Sequence, residues 1–411
     1  MKKIKFTKFN SLINKHLLLF VLLIIFLVAS FFRFCKIWTI PFGLNNDAAW
    51  EGSAAINIIH GNISDYFPYA NEGSRGEGII RLIVAIFVQI VGNNPIAIKL
   101  ASAIFGVGLI IPLFFLIKNL FNTKLAALTT FFVAISGWHI TLSKSGWRAI
   151  TVPFFATLLF YFYFKGIKTK KKFYFVLAGI MLSIGSLYTY DAGRVILLFF
   201  IFWIFFSLIT TKNYLKVFKK HLTFTFVTFI VFSIPMLNYA VNNWQNFISR
   251  SSSLFIWNQI KDTENISPII NNVITAFLTF NVKANGNDFF IFRPLVDIPV
   301  SWLIPIGFIF CLWVVFTKKW NNYIFILLWF IFSMIPGILS IPNGNREVGT
   351  IPVVYFFAAV GFYLIISFIE TVGKLKENFK RILIVSFLIL SSFVSYHLYM
   401  GPKRLELPVL S

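Results

Sequence analysis

The chain has 411 residues, 58% hydrophobic and only 12% charged, where a soluble domain carries about 25% charged residues. Water cannot solvate most of such a surface, so a soluble globular fold is excluded. The net charge of +23, from 37 Lys and Arg against 14 Asp and Glu, would suggest nucleic acid in a soluble protein; here most basic clusters sit between apolar runs, as in cytoplasmic loops of membrane proteins, and no nucleic-acid partner is expected.

The N-terminus carries Lys2, Lys3, Lys5 and Lys8 ahead of the apolar run Leu17–Phe32. No small-x-small cleavage site follows, so the run reads as an uncleaved first anchor. A membrane-crossing helix needs about 20 apolar residues. Runs of this kind predict spans near Leu17–Arg33, Ile96–Ile117, Leu125–Ile140, Ile150–Phe164, Phe173–Leu187, Val195–Ile209, Leu222–Tyr239, Val300–Phe316, Tyr323–Leu339, Thr350–Phe368 and Ile382–Leu398. They make about eleven in all. The runs lack the alternation of a barrel strand, so the expected fold is all-α and polytopic, one multi-pass domain over residues 1–411 with no soluble C-terminal domain. The shorter run Ile79–Val91 is ambiguous. Cys35 and Cys311 lie in or beside separate runs and offer neither a disulfide framework nor a metal knuckle.

Charge sets the expected orientation. Lys165–Lys172, Lys212–Lys220, Lys318–Lys319 and Lys374–Arg381 belong on the cytoplasmic side. The N-terminus then falls inside, the C-terminus outside, and Ile79–Val91 does not cross. The expected location is the cytoplasmic (inner) membrane. Among the acidic residues only Glu370 and Glu377 are then cytoplasmic. The others gather outside, chiefly in two long loops, residues 36–78 and 241–299.

The first loop contains Asn45-Asn-Asp47-Ala-Ala-Trp-Glu51. Asp47, soon after the first span, suits a general base acting on a hydroxyl; capping a short helix is the alternative. Glu51 lies one helical turn on, so the two acids can share a face. Glu72, Arg75, Glu77 and Arg81 follow, just before and inside an apolar run, where charges are costly unless paired. They read equally as ligand contacts or as internal ion pairs. Asp47 with Glu51 or Glu77 could hold Mg²⁺ or Mn²⁺ through oxygen ligands.

Short outer turns add Arg148, at the end of Trp138-His-Ile-Thr-Leu-Ser-Lys-Ser-Gly-Trp-Arg148, and Arg194, at the end of Tyr188-Thr-Tyr190-Asp191-Ala-Gly-Arg194. Arg293 and Arg346 lie in the later loops. Tyr188 and Tyr190 fit an interfacial belt as well as a binding site. The arginines sit where the positive-inside rule disfavours them; they fit a phosphate, or snorkel to headgroups. No Walker motif, dinucleotide fingerprint or paired metal-ligand spacing occurs.

In order and spacing these motifs resemble the C-type superfamily of membrane glycosyltransferases, in the branch of protein O-mannosyltransferase-like and aminoarabinose-transferase-like enzymes. The resemblance rests on Asp47 with Glu51, Arg75-Gly-Glu-Gly-Ile-Ile, Ala101-Ser-Ala-Ile-Phe-Gly, Ala134 to Arg148, Leu187 to Arg194, Arg293-Pro-Leu-Val-Asp297, Pro336-Gly-Ile-Leu-Ser and Asn345-Arg-Glu-Val-Gly-Thr-Ile-Pro. It implies a polyprenyl-phosphate sugar donor, an acceptor hydroxyl on a glycan, lipid or protein, inversion at the anomeric carbon, and Asp47 as the base. Glu51, Arg75, Glu77, Arg148, Tyr188, Tyr190, Arg194, Arg293 and Arg346 are the expected substrate contacts. Two departures stand out: Gly76-Glu-Gly-Ile where many relatives have His-Pro-Pro-Leu, and a single acid in Asn46-Asp47-Ala48 where many have two. A transporter or flippase for lipid-linked sugars, or a surface-glycan polymerase or ligase, would also use charged outer loops.

Overall fold

The computed structural model describes residues 15–67, 78–283, 294–318, 321–374 and 376–400. All regular structure among them is helical. Eight helices are long and apolar enough to cross a bilayer, and a bent pair makes a ninth. Lys172–Tyr188 and Asn322–Ile338 are shorter apolar helices at the two remaining expected spans. Three helices of the second loop carry no signal read from the sequence: Trp244–Leu254, Trp257–Thr263 and Ser267–Leu278.

Contacts sort the connections onto two ends of the bundle. At one end His221 Nε2 lies 3.0 Å from Lys170 O, Asn322 donates to Leu120 O, and Lys380 pairs with Glu370 at 2.7 Å. At the other end lie Asn46–Ile59, the turns around residues 146 and 190, Trp244–Leu278 and residues 340–350. Ile79–Val91 begins there, with Gly78 against Tyr66 and Arg81 against Glu51. The helix after it, Pro95–Gly108, starts at that same end: Ile98 touches Gly52 and Gly146. Both ends of Ile79–Val91 therefore lie on one side of the bundle. One face of it buries Ile80, Arg81 and Val84, while Ile86 and Ile90 are exposed.

The expected span Leu125–Ile140 is not one helix. Thr123–Ile135 and Gly137–Lys144 meet at a 55° bend. A break leaves carbonyls without partners on one side and N–H groups on the other. Buried Arg33 meets the first need, donating to Ala134 O at 2.8 Å and Val133 O at 3.0 Å. On the other side Ser136 Oγ accepts from His139 N at 3.1 Å, and Asp297 Oδ2 accepts from Gly137 N at 3.2 Å. A cation at a helix C-terminus and an anion at an N-terminus each match the local dipole. Asp297 also accepts from Ser395 at 3.2 Å and Tyr399 at 3.0 Å, which anchors the last helix, Glu377–Met400. A Cβ at residue 137 would fall 1.8 Å from the Tyr399 ring, so glycine there is a condition of this approach.

Candidate functional site

Asp47 stands in the first turn of Asn46–Ile59. The cap of that helix is Asn45, whose Oδ1 accepts from Ala48 N at 2.7 Å. Capping is therefore not the work of Asp47. Its side chain is half-buried and has no hydrogen-bond or ion-pair partner among the described residues.

Glu51, one turn on, is fully buried. Its Oε2 accepts from Arg81 Nε at 2.7 Å and its Oε1 from Arg148 Nη1 at 2.6 Å. Burial alone would raise this carboxyl's pKa; the two guanidinium groups overcome that and hold it below its usual 4.5. Both oxygens of Glu51, an expected substrate contact, thus serve as counter-ions to protein arginines. Among the described residues no three His, Cys, Asp or Glu gather as a metal site. Glu77, the other expected partner of Asp47, lies outside the described residues, as do Arg75 and Arg293.

The Glu51 centre joins three elements. Arg81 belongs to Ile79–Val91, and Arg148 to the turn after Gly137–Lys144. The Arg148 guanidinium also lies 4.5 Å from the Trp147 ring centre and 5.5 Å from that of Tyr190. The turn is tight. Gly146 has φ +75°, and a Cβ there would lie 2.6 Å from Ile98 and 3.2 Å from Ala48. The backbone before Arg148 thus packs on the residue beside Asp47. Two lysines hold the chain that enters the loop: Lys144 donates to Cys35 O at 2.7 Å, and Lys99 to Pro41 O at 2.6 Å. Arg33, Lys99, Lys144 and Asp297 were missed as organising residues. The signal was present: each is a charge in or beside an apolar run, which a bilayer tolerates only with partners.

A second group lies around the turn at residues 188–194. Tyr188 OH donates to Phe232 O at 2.9 Å and accepts from Met236 N at 3.3 Å. Its hydroxyl thus enters the backbone ladder next to Pro235, inside Tyr214–Asn242. The hydroxyl of Tyr188, an expected substrate contact, is thereby engaged with the backbone. Arg194 pairs with Asp191 at 2.9 Å, donates to Phe247 O and Ser251 Oγ at 3.1 Å each, and lies 4.4 Å from the Phe247 ring centre. Arg346 donates to Ser340 Oγ at 3.1 Å and Ile341 O at 2.5 Å. Tyr190, Asp191, Ser251, Ser340 and Arg346 share the lining of a cavity of about 180 Å³. Of the expected contacts, Glu51, Arg148 and Tyr190 form one connected chain, and Tyr190 and Arg346 meet at the cavity.

The bent, many-helix bundle is similar in fold to solved membrane proteins. Residues 79–238 match the family model described as dolichyl-phosphate-mannose-protein mannosyltransferase. The fold resembles the archaeal oligosaccharyltransferase AglB from Archaeoglobus fulgidus, solved with an inhibitory peptide and a dolichol-phosphate (TM-score 0.58, 13% identity, covering 95% of this chain and 56% of that one). It also resembles ArnT from Cupriavidus metallidurans bound to undecaprenyl phosphate (TM-score 0.60, 13% identity, 94% and 75% covered). The chain spans little more than half the length of the archaeal enzyme. No curated protein sequence matches it.

Proposed function

We propose that the protein is a glycosyltransferase that moves a sugar from a polyprenyl-phosphate donor to a hydroxyl acceptor at the outer face of the membrane. The observation that carries this reading is the state of Asp47. It sits half-buried in the first turn of a helix capped by its neighbour, with no partner among the described residues, and the next turn of that helix is locked to two arginines. In the reaction the acceptor oxygen attacks the anomeric carbon as the bond to phosphate oxygen breaks. The Asp47 carboxylate takes the hydroxyl proton, and the lipid phosphate leaves with the bonding electron pair, which inverts the anomeric centre. The leaving group gains negative charge, so a guanidinium aimed at it stabilises the transition state more than the ground state. Arg346, which lines the cavity beside Tyr190 and Asp191, is the described arginine best suited to that role, since Arg148 is held by Glu51 and Arg194 by Asp191.

The lipid-linked donors of the proteins it resembles support this class of substrate, and the absence of a nucleotide fingerprint agrees with a donor that is already a phosphate ester. The test is Asp47→Asn, purified and assayed with a lipid-linked sugar. A lost general base should lower turnover about 10²- to 10⁴-fold while folding and donor binding persist. Near-normal turnover would remove Asp47 from the role. Recovery of a relocated lipid with no new glycosidic bond would favour a flippase instead.

A further inference from the structure

The second loop contains an apolar face with nothing packed on it among the described residues. Along Ser267–Leu278 and the residue before it, Ile266, Ile270, Ile274 and Leu278 are 41–64% exposed, while Phe277 at the edge packs its ring on Phe330. Positions four and seven apart fall on one side of a helix, so these side chains form a single stripe. The opposite side is occupied: Ala276 is buried, and the Asn272 amide donates to Ile338 O at 3.0 Å and to Ser340 O. The helix therefore lies against the end of Asn321–Ile338 and turns its apolar stripe away from the protein.

Two observations identify what covers that stripe. The stripe lies beside Asn321–Ile338, a helix that itself leaves the apolar Ile331 53% exposed. Three tryptophans on separate elements near this end, Trp244, Trp257 and Trp302, are also more than half exposed. Exposed tryptophans at span ends mark the level of the lipid headgroups. The helix bears no charged side chain that would draw it into water.

We propose that Ser267–Leu278 is an interfacial helix, its apolar stripe immersed in the leaflet on the site's side of the membrane. Its seat fixes the second loop at headgroup depth. The cavity wall formed by Ser251, Leu254 and Phe255 belongs to the same loop, which is pinned to the bundle by Ile256 N donating to Leu339 O at 2.9 Å. A lipid-borne substrate would then meet the Arg346 cavity without leaving the membrane surface; only this consequence rests on the transferase reading.

The test uses the full chain in phospholipid nanodiscs, with Cys35→Ser and Cys311→Ala as background and a nitroxide on Ile270→Cys, Ile274→Cys or Lys261→Cys. Collision rates with oxygen, which concentrates in lipid, and with a water-soluble nickel chelate are compared. The labels at 270 and 274 should favour oxygen severalfold over the label at 261. Chelate access equal to that at 261 would overturn the proposal by placing the stripe in water. Shielding from both reagents would overturn it in favour of a protein partner. Turnover is not part of this measurement, so its outcome and that of the Asp47 assay fail independently.

Discussion

Two acid–arginine groups on the same end of the bundle use the same chemistry at different depths. Glu51 holds Arg81 and Arg148 with all three side chains at most 2% exposed, whereas Asp191 and Arg194 meet with 18% and 27% of their side chains exposed. Removing one partner from a buried pair leaves an uncompensated charge; a solvated pair is worth little either way. The first group therefore fixes three elements in place, and the second joins the turn at residues 188–194 to Trp244–Leu254, where adjustment costs little. On the transferase reading proposed above both properties serve the reaction: the base is held still, and the wall around an incoming donor yields.

The sharpest test of this contrast is Glu51→Ala. It leaves two guanidinium groups buried against each other and should destabilise the protein by about 3–5 kcal/mol, read as a large drop in Tm in detergent or loss of folded protein. Glu51→Gln keeps hydrogen-bond acceptors and should lose less. The pH dependence follows from the lowered pKa of Glu51. A carboxyl whose folded pKa lies below its unfolded value contributes stability that is fully present above the unfolded value and lost as pH falls through the folded one. Wild type should therefore lose stability on acidification below about pH 4.5 more steeply than Glu51→Gln. Parallel melting curves across that range would show that Glu51 is not the lock.

Next in size is Arg346→Ala. Loss of a single donor to a developing anion costs about 2–4 kcal/mol in the barrier. Arg346 is half-buried and its partners are Ser340 and a backbone oxygen, so Tm should change far less than for Glu51→Ala. Arg346→Lys should restore only part of the rate, because an ammonium lacks the planar fork. A variant that unfolds, rather than slows, would move Arg346 to the structural side of the contrast.

The sequence disclosed the two groups unequally, for physical reasons. Apolar runs are long-range enough to mark spans, so the expected spans fall on observed helices, one of them broken in two. Spacing also placed Asp47 and Glu51 on one helix. It could not show that Arg81 and Arg148, 30 and 97 residues from Glu51, converge on its two oxygens, since that depends on where Ile79–Val91 and the residue 146 turn are laid. Nor did it show the break at Ser136, which falls inside a run read as one span and where Arg33 and Asp297, each far along the chain, join Ser136 in satisfying the exposed ends. The helix Ser267–Leu278 was missed because a short half-exposed stripe resembles the edge of any apolar run.

The smallest expected effect comes from Asp191→Asn, and it probes the compliant side of the contrast directly. The Asp191–Arg194 pair is partly solvated, so salt and water screen it, and its removal should change stability by less than about 1 kcal/mol. Arg194 would keep its bonds to Phe247 O and Ser251 and its place over the Phe247 ring, so the turn and Trp244–Leu254 should stay joined. The asparagine keeps an oxygen toward Arg194 while the charge of the guanidinium is no longer neutralised beside the cavity. If the pair only ties the loop, turnover should stay within a few-fold of wild type, and the KM for a phosphate-bearing donor should hold or fall slightly. Raising the salt concentration should erase that fall. A loss of turnover as large as that of Arg346→Ala, with Tm unchanged, would show that Asp191 faces the reacting groups. The two acid–arginine groups would then differ in chemistry as well as depth, and the division between a locked half and a yielding half would have to be redrawn around Asp191.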